Sequence, residues 1–115
     1  MIVVTGRVMV PASRREEFLA IATEMCAASR GDEGCLGYRV YADLEQADRY
    51  VFIEEWRDEQ ALQRHFAQPH TARFMAALVP MLGEGADALF HTVDSTRRLD
   101  PQRGFLDVDD PGAEV

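Results

Sequence analysis

Three histidines, His65, His70 and His91, are the side chains of this 115-residue sequence most apt to titrate near neutrality. His65 follows Leu62 by three residues, so it projects with the apolar stripe of a helix and not with the solvated face. His70 precedes Phe74 by four and points along a core-facing stripe in the same way. Glu54 shares a strand face with Tyr50, Phe52 and Trp56, and that strand leads straight into the helix carrying His65. Two imidazoles, a carboxylate and an aromatic wall are thus directed at the space between helices and sheet, the usual setting of a small-molecule site. An imidazole there can take a phenolic proton, its ordinary pKa being about 6.5. In this reading His65 or His70 is the base, Glu54 orients it, and Phe52, Trp56, Phe74, Tyr50 and Arg73 contact the substrate. Each residue also has a purely structural use. His65 and His70 can bond backbone groups, Trp56 can fill the core, and Glu54 can pair with Arg73 or Arg7.

Other chemistries find little support. His65 and His70 are five apart across Pro69, which does not set both imidazoles on one helix face as a metal pair requires, so no metal site is expected. Ser13, Ser29 and Ser95 lack a nucleophile elbow, and neither a Gly-x-Gly-x-x-Gly run nor a P-loop occurs. All 12 basic residues are arginine, so lysine Schiff-base chemistry is excluded, and asparagine is absent as well.

The net charge of −8 argues against a nucleic-acid or anionic-membrane partner. Half of it lies in residues 99–115, where five acids face one arginine. This acidic tail is expected to be flexible or to cross to a partner subunit through Phe105 and Leu106, outside a domain spanning 1–98. Cys26 and Cys35 show no metal spacing and read as free thiols of a cytoplasmic protein. Met1 runs directly into a strand-like segment, without the charged start of a signal peptide.

The elements that must position these residues follow from period and punctuation. Residues 2–10 are rich in β-branched side chains and stop at Pro11. Ser13 to Glu16 matches a capping box, predicting a helix start, with Phe18, Ile21, Ala22, Met25 and Ser29 as its stripe and Gly31 and Gly34 as its end. Residues 35–43 and 50–56 form a hairpin about the turn at 44–48. Asp58 caps a second helix, Pro69 breaks or restarts it, and residues 88–97 alternate as a fourth strand. The order β-α-β-β-α-β predicts an α+β, ferredoxin-like fold with a four-stranded antiparallel sheet and both helices on one face. The strands are apolar on both sides, Val3, Met9, Val51 and Ile53 opposing the core set, which implies a homodimer joined through the open sheet face.

The runs Gly34-Cys35-Leu36-Gly37-Tyr38, Glu54-Glu55-Trp56-Arg57-Asp58 and His65-Phe66-Ala67-Gln68-Pro69-His70, with Phe74, resemble the antibiotic biosynthesis monooxygenase family over about residues 2–97. The resemblance implies a dimeric α+β barrel with one pocket per subunit. Several members of that family oxygenate quinols or polyphenols with O2 and no metal, flavin or haem, so no cofactor is expected. Its haem-degrading branch needs an asparagine that this chain lacks, and His65 stands where that branch has tryptophan. Membership does not settle activity. The leading expectation is a cofactor-independent monooxygenase acting on a quinol or an aromatic polyketide-like compound. The alternatives are a non-catalytic dimeric ligand-binding or stress-associated protein, and an isomerase or decarboxylase of a small carbonyl compound.

Overall fold

Strand β1 (Ile2–Met9) runs through the middle of the molecule, and the structure, a computed structural model, describes residues 1–109. Around it lie β2 (Cys35–Ala42), β3 (Arg49–Trp56) and β4 (Asp87–Thr92), in the order β2-β3-β1-β4. Every pairing is antiparallel, so the expected ferredoxin-like α+β sheet is present. Register sets Tyr38, Glu54, Val4 and Phe90 in one row across the sheet, and Val40, Phe52, Gly6 and Ala88 in the next of the same face.

Helix α1 (Arg15–Arg30) packs on that face through Phe18, Ala22, Met25 and Cys26. The capping box does not form. Pro11 holds φ at −61° and its carbonyl accepts the Arg14 N–H at 2.9 Å, so a 3-10 turn over Ala12–Arg14 takes up Ser13 before the helix begins. After α1 the chain turns at Gly34, whose φ of +81° few other residues tolerate. Asp58 does cap α2 (Glu59–Phe66), accepting the Ala61 N–H at 2.8 Å. Pro69 restarts the chain as α3 (Pro69–Leu78), occupying the first turn where a missing N–H costs nothing.

The expected fourth strand over 88–97 is two strands. Val93 N–H still bonds Met1 O at 3.0 Å, but beyond it β1 offers no further partner. The chain then forms its own hairpin from β5 (Thr96–Asp100) and β6 (Gly104–Val108), turning where Asp100 accepts the N–H groups of Gln102 and Arg103. The limit expected at residue 98 therefore falls inside β5, and residues 99–108 are hairpin; residues 110–115 lie outside the described part. Leu99 and Phe105 are exposed on this hairpin.

The core gathers between the helices and one sheet face, with Trp56 and Phe18 wholly buried beside Tyr38, Tyr50 and Phe52. Val3, Val51 and Ile53 point to the opposite face and stay half-buried, while Leu89 beside them is exposed. No helix among the described residues is long and apolar enough to cross a membrane.

Candidate functional site

The second row of the sheet carries Gly6 and Ala88, so the floor beneath α3 lacks side chains to fill it. A cavity of about 390 Å³ opens there, walled by Phe52, Phe66, Phe74, Met75 and Leu78, with Tyr38, Glu54, His65 and Thr71 as polar members. Glu54, His65, Phe52 and Phe74 of the expected set meet in this one space.

The other four expected residues stand elsewhere. Trp56 lies behind the wall, its ring centroid 4.5 Å from that of His65, and its Nε1–H donates to Glu54 Oε1 at 3.0 Å. Tyr50 packs on Phe18 at 4.5 Å, and its hydroxyl accepts from Arg15 at 2.7 Å. His70 and Arg73 line a separate depression between α1 and α3, beside Glu24 and Ile21.

Asp32, which sequence reasoning missed, is the partner of both cavity and surface histidines. Its Oδ2 accepts from His65 Nδ1 at 2.8 Å and from His70 Nε2 at 3.0 Å. A carboxylate only accepts, so these ring nitrogens carry the hydrogens, and His65 Nε2 is the nitrogen left for the cavity. Thr71 Oγ1 donates to the His65 carbonyl at 2.7 Å, fixing the break between α2 and α3. That break turns a spacing of five into convergence. The two rings sit on different helices with centroids 5.9 Å apart.

Local packing explains how Asp32 reaches His65. A Cβ on Gly34 would stand 2.5 Å from the Ala61 Cβ, so only glycine lets the α1–β2 loop lie this close against α2. The Arg57 N–H bonds Gly34 O at 2.8 Å and ties the loop down. Nothing in the spacing of Asp32 signals this; Gly34, four residues before Tyr38, was the nearest clue.

Burial pushes the Glu54 carboxyl up to about 7, although the Trp56 N–H and the Tyr38 hydroxyl beside it favour its ionised form. Burial likewise raises the Tyr38 phenol. It lowers His65 below its ordinary value, and the Asp32 carboxylate opposes this only in part. The cavity thus holds a neutral, oriented imidazole and a carboxyl poised near neutrality within apolar walls, a setting able to bind an aromatic ring and take a proton from it.

Comparison with known proteins agrees in fold and sequence. The family model described as antibiotic biosynthesis monooxygenase matches residues 1–77. An uncharacterized Synechocystis protein, sll1783, is 31% identical over 98 residues, covering 85% of this chain and 67% of its own. YcnE of Bacillus subtilis, provisionally named a monooxygenase, is 30% identical over 89 residues, covering 77% and 94%. A solved Deinococcus radiodurans structure provisionally assigned to the same family superposes with a TM-score of 0.78 over 84% of this chain and 95% of its own, at 22% identity, a likeness of fold. The chain belongs to the antibiotic biosynthesis monooxygenase family.

Proposed function

We propose that the protein is a monooxygenase that binds a quinol or aromatic polyketide-like ring in the cavity and oxidises it with O2, needing no metal or flavin for the reaction. His65 Nε2 takes the phenolic proton, with Asp32 holding the ring in the tautomer that leaves this lone pair free. The resulting phenolate is electron-rich enough to reduce O2 itself. In an anthrone-type ring the CH2 becomes C=O, and in a quinol a ring C–H becomes C–OH while the quinol becomes the quinone. In both, one oxygen atom of O2 stays on carbon and the other leaves as water with two hydrogens from the substrate. Phe52 and Phe74 supply the apolar wall, and Glu54 is the second proton-carrying group in reach of the cavity. The observation that carries this reading is the Asp32-anchored His65 ring in an otherwise apolar, aromatic-walled cavity. Oxygen uptake with a panel of reduced quinones and anthrones, in chelator-treated buffer, tests it. Uptake above autoxidation is expected; its absence across the panel argues for the non-catalytic ligand-binding alternative.

The working unit in this reading is a homodimer. The half-buried Val3, Val51 and Ile53 and the exposed Leu89 put apolar side chains on the open sheet face, and a second copy covers them. The free thiols Cys26 and Cys35 suit a reducing compartment, and we place the protein in the cytoplasm.

A further inference from the structure

We infer that Asp32, His65 and His70 form a binding site for one divalent transition-metal cation of the zinc, cobalt or iron type. The three side chains come from three separate elements, the α1–β2 loop, α2 and α3, yet their ligand atoms all lie within 4.8 Å of one another. Both imidazoles approach the same carboxylate oxygen, Oδ2, at 2.8 and 3.0 Å, so the two ring nitrogens flank one carboxylate. Around an ion with bonds of about 2.1 Å, neighbouring ligand atoms stand about 3.0 Å apart in octahedral geometry and about 3.4 Å in tetrahedral. The two histidine–carboxylate separations need to open by only a few tenths of an ångström, and the two ring nitrogens, within 4.8 Å of each other, draw together to the same spacing by rotation of the half-buried His70 ring.

The donor set fits that class of ion and not calcium or magnesium, which prefer oxygen alone. Two imidazoles and one carboxylate leave positions for water, as in sites that stay open. The surroundings hold the ligands in place. Asp32 is fixed at both backbone groups, to Ser29 O at 3.0 Å and Cys35 N at 3.1 Å, and Thr71 secures the His65 carbonyl. His65 is sealed from solvent, whereas the His70 side chain is 17% exposed and opens on the depression flanked by Glu24 and Arg73, which gives an ion its entry.

Coordination through His65 Nδ1 displaces the hydrogen which that nitrogen donates to Asp32. For His65 the hydrogen then sits on Nε2, toward the cavity. The cation and the use of that ring as a base exclude each other, which makes the ion an inhibitor of the proposed oxidation. That consequence rests on the proposed function; the binding itself does not.

Cobalt(II) titrated into the chelator-stripped full chain, followed by visible absorption, and zinc(II) followed by calorimetry test the site without any substrate. One equivalent per chain bound at micromolar concentration is expected, with His91→Ala unchanged and with His70→Ala and Asp32→Asn each weakened by about tenfold or more. Far-UV circular dichroism checks that each variant is folded, and either folded variant suffices for the comparison. Absence of saturable binding overturns the inference, as does one-equivalent binding that both variants retain.

Discussion

Asp32 and His65 stand 33 residues apart in the chain and share a 2.8 Å hydrogen bond in which the imidazole is almost fully buried. This bond fixes which ring nitrogen faces the cavity, and so decides what the histidine can do there. It also stabilises the junction of loop and helix, because a buried N–H without an acceptor is expensive.

Asp32→Ala leaves the His65 and His70 donors without their shared acceptor. The loss expected in urea unfolding is about 2 kcal/mol, within the range for a buried group left unsatisfied. A variant as stable as wild type shows that the rings find other partners.

Gly34→Ala meets two penalties, a φ of +81° and a Cβ at 2.5 Å from the Ala61 Cβ. Together they are expected to cost about 2–3 kcal/mol. Adding Ala61→Gly removes the clash but not the backbone strain, so the double variant recovers part of the loss. Full additivity in the cycle contradicts the contact.

Glu54 gives stability a particular pH dependence. Its folded pKa of about 7 lies above the ordinary 4.5, so the unfolded chain ionises first as pH rises. Between these values the folded state holds more protons, and stability falls with rising pH. The penalty is absent below about pH 4.5 and complete above about pH 7, on the order of 3 kcal/mol from roughly 1.4 kcal/mol per pKa unit. Glu54→Gln is expected to flatten this stretch of the melting-temperature profile. An unchanged slope assigns the effect to other groups.

Ile53→Arg places a charge beside Leu89, Val3 and Val51 on the open sheet face, away from the cavity. Light scattering is expected to show a dimer for wild type and a monomer for the variant. A monomeric wild type removes the dimer from the account.

Much of the frame was legible because it depends on local pattern. Alternation in 2–10 and 50–56, the Asp58 cap and the Pro69 restart each act within a few residues, and they put Glu54, His65, Phe52 and Phe74 on the cavity side. The remainder depends on contacts between distant segments. Asp32 meets His65 only because Gly34 allows the loop to approach Ala61, and no spacing encodes that approach. Trp56 shares Glu54's strand face, yet strand parity cannot tell a lining residue from one buried behind the lining. His70 shares a stripe with Phe74, but the restart at Pro69 turns it toward α1. Ser13 lost its cap to a turn begun by Pro11, and residues 99–108 pair with a strand that begins before the acidic stretch.

The role of His65 as base is decided by oxygen uptake of His65→Ala against wild type, at saturating quinol in chelator-treated buffer. The expected rate is lower by about 100-fold or more, the scale of a lost general base, with the folded state intact by circular dichroism. An equal rate in the two proteins contradicts that role.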